Sequence, residues 1–266
     1  MDVVRRALGL QRVGHLGTLD PFAEGLLVVV VGRATRLAAF AAGWTKAYEG
    51  VIRLGITTDT DDATGAVLRE APAGGVTAAR LAAALAEFRG GYLQRPPAYS
   101  AVKVAGERAY RRARRGEVVE PAARPVEIGE LELVEYAAPD VHFRATVGGG
   151  TYLRSLARDV GAALGCGAHL VTLRRTAVGP LLLTEAVAPE AVTPALVRDP
   201  SVLVAHLPRR EVTAAEREAV VHGRPIAAQP GSDTRSPVAL FAGGELVAVA
   251  EALGAVLKPR VVVTDA

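Results

Sequence analysis

The chain has 266 residues, half of them hydrophobic, and its 31 basic against 28 acidic side chains leave it close to neutral. That size suits a globular protein with one large core and a small second domain. A lone cysteine, Cys166, excludes an intramolecular disulfide and a thiolate zinc cage, and no apolar run nears the length that spans a bilayer.

Met1 to Gln11 reads as a short helix with Val3, Val4, Ala7 and Leu8 on one side, and it lacks the apolar core of a signal peptide. The stretch Gly14-His15-Leu16-Gly17-Thr18-Leu19-Asp20-Pro21 follows. Gly14 and Gly17 allow backbone angles closed to other residues, and Pro21 pushes Asp20 toward an extended conformation. Asp20 is then either a carboxylate held in a concave loop for chemistry or a turn residue bonding its own backbone.

Leu26 to Val31 reads as a buried strand, Ala34 to Ala42 as a helix ending at Gly43, and Lys46 to Leu54 as a strand. On that strand Tyr48 can stack on a planar substrate or serve as a half-buried strand aromatic. Thr57 to Thr64 reads as a polar loop closed by Gly65. Thr77 caps a helix through Phe88, stopped by Gly90-Gly91.

Tyr99 to Val104 looks extended and Glu107 to Arg115 helical. This region gathers Lys103, Arg108, Arg111, Arg112, Arg114 and Arg115 around Tyr99 and Tyr110, a composition that suits a phosphate backbone with stacked bases. A solvated helix face is the simpler alternative.

Val126 to Tyr136 and Val141 to Val147 alternate as two strands, Tyr152 to Leu164 is a helix, and Ala168 to Val178 is another strand. Gly148-Gly149-Gly150 feed Tyr152 and Arg154 into the first helical turn. An arginine beside Asp20 keeps a carboxylate ionised, as a nucleophile requires; a surface arginine is the other reading. Leu173-Arg174-Arg175 stand toward the end of the last strand.

Beyond a short helix at Thr193 to Val197 the pattern changes near His206. A helix at Ala214 to Val221 and a Pro225 to Pro237 link precede short strands at Val238 to Phe241, Glu245 to Ala250 and Arg260 to Val263, resembling a small β-barrel module. The acidic run Asp59, Asp61, Asp62 fails the calcium-loop template, and no histidine pair stands at metal-ligand spacing, so no catalytic metal is expected.

Taken in order, the Gly14–Pro21 loop with Gly25, Lys46-Ala47-Tyr48, Arg53-Leu54-Gly55 with Thr58-Asp59-Thr60-Asp61-Asp62, and Pro97-Ala98-Tyr99-Ser100-Ala101-Val102-Lys103 form a recognisable series. Gly150-Thr151-Tyr152-Leu153-Arg154 and Gly165-Cys166-Gly167-Ala168-His169-Leu170 with Leu173-Arg174-Arg175 complete it. The series closely resembles the bacterial tRNA pseudouridine-55 synthases (TruB type) over nearly the whole chain. The family's opening strand with a Lys-Pro motif has no counterpart in the 13 residues before Gly14, so that segment is expected to be missing while Asp20 stays in place.

The resemblance implies an α+β protein. Residues 1–205 are expected to form a mixed-sheet catalytic domain with an insert at about 97–125 that clasps the T-arm of tRNA. Residues 206–266 are expected to form a PUA-like RNA-binding β-barrel module touching the acceptor stem. The implied reaction isomerises uridine 55 in the T-loop after base flipping, with neither cofactor nor metal.

The resemblance makes Asp20 the nucleophile, Tyr48 the aromatic packed on the flipped uracil and Arg154 the charge partner. It makes His15 the residue that fills the vacated space, and Tyr152 and Leu173 the lining of the base pocket. Arg174 and Arg175 join the basic insert on the RNA backbone. A monomer acting in the cytoplasm without an obligatory protein partner is expected. The guide-RNA-dependent relatives share the Asp loop, and a tRNA-folding chaperone is a reading from another class. The insert favours the stand-alone bacterial form, and the presence of Asp20, Tyr48 and Arg154 in their motifs favours an enzyme.

Overall fold

Lys46 to Leu54 alternates between the two faces of a sheet, and the computed structural model, which describes residues 1–229 and 237–264, forms a strand over those same nine residues. In chain order the elements begin with α1 (Asp2–Leu8), β1 (Val13–His15), β2 (Glu24–Gly25), β3 (Val29–Val31), β4 (Lys46–Leu54), β5 (Ile56–Thr58) and β6 (Val67–Glu70). Next come α2 (Ala78–Glu87), β7 (Gly90–Gln94), β8 (Lys103–Val104), β9 (Glu107–Arg108) and α3 (Ala109–Arg114). β10 (Arg124–Ala137), β11 (Asp140–Val147), α4 (Leu153–Leu164), β12 (Ala168–Val178) and β13 (Leu181–Leu182) follow. The last are β14 (Arg209–Glu211), α5 (Ala214–Val221), β15 (Ile226–Ala227), β16 (Val238–Ala242), β17 (Glu245–Leu253) and β18 (Val256–Val262).

The described residues cluster into two compact units, one of residues 19–26 and 43–186, the other of 1–18, 27–42 and 187–266. The second unit therefore takes in the expected 206–266 module together with earlier segments of the chain.

The first unit is built on a seven-stranded mixed sheet, β13-β12-β4-β11-β10-β7, with β2 lying parallel to β12 and the other pairs antiparallel. α2 and α4 supply Leu81, Leu85, Leu156, Val160 and Leu164 to a core that includes Ile52, Leu54, Ile128, Phe143 and Leu170. Burial of side chains this size stabilises by about 1.5–3 kcal/mol each. Thr77 caps α2 by accepting a bond from the Arg80 amide, as its position predicts. Helix α4 can lie against the start of β12 only because residue 161 is glycine: a Cβ there meets the Ala168 nitrogen at 2.2 Å.

In the second unit β1 pairs with β3, and a five-stranded sheet runs β14-β16-β17-β18-β15. It has its own core of Val212, Val220, Ile226, Leu240, Val247 and Leu257. Thr213 and Glu216 form a capping box at the start of α5.

Several sequence expectations shift. Only Val29–Val31 of the expected 26–31 strand pairs with a neighbour, because the Leu26 amide is taken by the Arg175 carbonyl at 2.8 Å. The expected helix at 34–42 is a 3-10 segment over Gly32–Ala41, where the Thr35 hydroxyl bonds the Gly32 carbonyl and competes with a helical ladder. The β-branched Ile56-Thr57-Thr58 form a strand instead of opening a loop. Gly90 and Gly91 begin an edge strand. Of residues 99–104 only Lys103–Val104 pair, in a short hairpin, and the helix expected at 107–115 narrows to α3. Part of the expected 225–237 link is β15, and residues 230–236 of it lie outside the described residues.

Candidate active site

Asp20 heads a turn closed by the Ala23 amide on its carbonyl at 2.9 Å. The turn is pinned to β12 through β2. Gly25, at φ 97°, approaches so closely that a Cβ would meet the Arg175 carbonyl oxygen at 2.4 Å. Arg175 is itself 1% exposed and donates from Nε to the Leu26 carbonyl at 2.7 Å. This corrects the expectation that Arg175 lies on the RNA backbone: its guanidinium is enclosed, where no phosphate reaches it, and it braces the Asp20 loop against the sheet.

Arg154 comes from the first turn of α4. That turn is set by Gln94, fully buried, whose side chain accepts from the Tyr152 amide at 2.8 Å and donates to the Tyr152 carbonyl at 3.1 Å. The expected helix therefore starts one residue later, with Tyr152 as its N-cap.

The Arg154 guanidinium grips Asp20 as a fork, Nη2 to Oδ1 at 2.8 Å and Nε to Oδ2 at 3.1 Å. Its other donors reach the Thr60 carbonyl and the Tyr99 carbonyl, both at 3.0 Å, and Asp62 Oδ2 lies 3.4 Å away. The Arg154 and Asp62 side chains are each 5% exposed, against 30% for Asp20. A buried cation is tolerable only with partners on every side, and Arg154 has them. Asp20 is the member of this trio that solvent, and hence a substrate, reaches.

Asp62 is the residue the sequence reading passed over. It stands in the run dismissed as a metal site, where its Oδ1 accepts from the Thr64 amide at 2.9 Å and from the hydroxyls of Thr60 and Thr64. The spacing Thr60-x-Asp62-x-Thr64 carries the signal, once a buried arginine is known to need a second anion.

Tyr48 on β4 is 9% exposed in the same core as Leu173, itself 5% exposed. The Arg175 guanidinium hydrogen-bonds its hydroxyl. Burial raises the Tyr48 phenol above its ordinary value; Arg175 opposes that and the Asp20 charge adds to it, so the ring stays neutral at physiological pH. Tyr152 is half-buried, with the Arg124 guanidinium 5.2 Å over its ring. His15 lies in the other unit, exposed at the end of β1.

The basic insert has a small core of its own, Ala109, Ala113 and Val119. From it Lys103, Arg108, Arg111 and Arg114 point to solvent, Arg114 resting over Tyr110 at 5.5 Å. Arg112 and Arg115 differ. Arg112 pairs with Glu117 at 2.7 Å, and Arg115 pairs with both Glu107 and Glu117 at 2.7 Å. Their hydrogen bonds hold both glutamates below the ordinary carboxylate range. Arg174 is half-exposed between Glu24 and Glu49, at 3.6 and 3.7 Å.

Two family models match consecutive stretches of this chain: the N-terminal domain of the TruB family pseudouridylate synthases over residues 5–153, and the C-terminal domain of tRNA pseudouridylate synthase B over residues 154–208. The chain belongs to the TruB family. The tRNA pseudouridine synthase B of Thermobifida fusca is 45% identical over 97% of this chain and 91% of its own length, and that of Azoarcus sp. 41% identical over 98% and 88%. The Xanthomonas campestris enzyme is 50% identical over 73% of this chain, a match that spans 63% of the relative's length. Among solved structures, the archaeal box H/ACA sRNP Nop10-Cbf5 complex matches with a TM-score of 0.71 at 25% identity, covering 99% of this chain and 81% of that one. The Asp20–Arg154 fork therefore lies in a TruB-family pseudouridine synthase fold.

Proposed function

We propose that this chain converts uridine 55 in the T-loop of tRNA to pseudouridine without a guide RNA, with Asp20 as the nucleophile. The observation that carries the reading is the fork of a buried Arg154 on a partly exposed Asp20. The reaction breaks the N1–C1′ bond, turns the base and joins C5 to C1′; the C5 proton leaves and N1 takes one up. Atoms balance without a redox partner or a leaving group, so the residues needed are a carboxylate held ionised and a pocket for a flipped base.

Tyr48 packs on the uracil, with Tyr152 and Leu173 lining its pocket and His15 filling the space the base vacates. Lys103, Arg108, Arg111 and Arg114 take T-arm phosphates, and Arg174 adds to them. Residues 206–266 act as a PUA-like module on the acceptor stem. Identities of 41–50% to proteins named tRNA pseudouridine synthase B, against 25% to Cbf5, support the guide-independent form. The protein acts as a monomer in the cytoplasm, where its substrate is.

Tritium release from tRNA transcribed with 5-³H-uridine tests this with the purified chain alone. Stoichiometric release from position 55 is expected. Release only when a guide RNA is added overturns the reading, as does binding without release.

A further inference from the structure

Arg158 follows Arg154 by one turn of α4, and the two arginines meet neighbouring carboxylates: Arg154 meets Asp62, and Arg158 meets Asp61 at 2.9 Å. Arg158 also donates from Nη2 to the Arg95 carbonyl at 2.8 Å, and from its Nε to Asp159 at 2.9 Å. Ser155 Oγ reaches the same Arg95 carbonyl at 2.9 Å. Arg95 follows β7 and leads through Pro96-Pro97 into the basic insert. Arg154 repeats the pattern, tying the Thr60 carbonyl of the acidic turn to the Tyr99 carbonyl at the root of the insert. Two parallel rungs thus join the same two segments across α4.

Asp61 sits at φ 61°, in the left-handed region that side chains other than glycine, asparagine and aspartate seldom enter. Its carbonyl accepts from the Leu170 amide at 3.0 Å, so the turn also rests on β12. Burial pushes Asp61 up to about 6, outweighing the opposing charge of Arg158. An acid raised in the folded state lowers stability as pH climbs from the unfolded value, near 4, to about 6, and that loss is in full force at neutral pH.

We propose that Asp61 and Arg158 are positioning residues. They fix the acidic turn and the root of the insert on α4, so that Thr60, Asp62 and Tyr99 hold Arg154 in its fork with Asp20. The pair links RNA seated on the insert to alignment of the reacting carboxylate, and the inference rests on the assignment of Asp20 above. The charged groups facing Asp61 are Arg158, Arg154 and Asp159, all from α4; β12 meets it through backbone.

Asp61→Asn tests this well, because asparagine accepts the left-handed backbone and removes only the charge. The single-turnover rate at saturating tRNA is expected to fall about tenfold, as misalignment does, while tRNA affinity holds and Tm stays level or rises. In the unsubstituted chain the rate is expected to decline as pH falls through about 6, and Asp61→Asn is expected to remove that inflection. Arg158→Gln should match it, with partial recovery in Arg158→Lys. A wild-type rate with the inflection intact overturns the proposal, as does a rate loss accompanied by a fall in Tm of several degrees. Asp20→Asn, run alongside, separates the two claims. If it turns over, the assignment of Asp20 fails; if it is inactive while Asp61→Asn behaves as wild type, only the positioning role fails.

Discussion

Arg154 and Arg175 are 4% and 1% exposed and are fastened to carbonyls and to groups of the Asp20 loop, whereas Arg111 and Arg114 on α3 stand in solvent within one short basic helix. The four side chains are chemically identical. Enclosure turns an arginine into a clamp whose five donors fix other groups in place. Exposure leaves the charge free to displace counterions from a phosphate. Arg112 and Arg115 fall between, exposed or half-buried but occupied by Glu107 and Glu117. What an arginine does here follows from which partners the fold has already given it.

The sharpest break of this comparison is at the group the buried clamp holds. Asp20→Asn keeps the shape and loses the negative charge, so turnover is expected to fall by more than about 100-fold while tRNA affinity, drawn from phosphates and stacking, changes little. Tritium release and a filter-binding isotherm on the same preparation read both. Turnover within tenfold of wild type would place the nucleophile elsewhere.

Arg154→Met attacks the clamp itself. It leaves Asp62 buried without its counter-charge and Asp20 without its fork, and breaking a buried pair from one side costs roughly 3–5 kcal/mol. Both Tm and the single-turnover rate should drop, the rate by on the order of 100-fold, as a misplaced reacting group does. Adding Asp62→Asn should recover part of the Tm but none of the rate, because the surplus buried charge is then gone while Asp20 remains unheld.

The two kinds of arginine also differed in how far they could be read from the chain. β4, β12 and α5 form over the predicted residues, and β10 and β11 nearly so, because alternation and capping are local signals. Asp20, Tyr48 and Arg154 stood out through motif order, and the structure brings Asp20 and Arg154 into one fork from positions 134 residues apart. Arg175 did not stand out. It neighbours Arg174 in sequence, and only the pleat decides that one faces solvent and the other the sheet interior. Asp62 was hidden for a related reason: its partner lies on α4, and a carboxylate among threonines gives no local sign of a distant guanidinium. The self-pairing of Arg115 with Glu107 likewise depends on how the hairpin turns back on α3.

Arg175→Met tests the clamp on the outer side of the Asp20 loop. It strips the Leu26 carbonyl and the Tyr48 hydroxyl of a buried donor, which costs about 1–3 kcal/mol. Stability should fall and turnover should drop about tenfold as the loop loosens. The dependence of tRNA affinity on salt should not change. An RNA-backbone arginine behaves the opposite way, its loss flattening the slope of log K by about 0.7–0.9 with little change in Tm.

The smallest effects divide the exposed set. Arg111→Gln with Arg114→Gln removes two free charges and should flatten the salt slope by roughly 1.4–1.8, weakening binding most at low salt. Arg112→Gln with Arg115→Gln removes the same formal charge from groups already neutralised by Glu107 and Glu117, and should flatten it by less than about half as much. Glu117→Gln then tests the cause. It frees Arg112 and one side of Arg115, and should steepen the slope above that of the unsubstituted chain without altering single-turnover chemistry at saturating tRNA. Equal slopes for the two double variants would mean that RNA pulls Arg112 and Arg115 off their glutamates on binding. The comparison between enclosed and exposed arginines would then hold for the free protein but not for its complex.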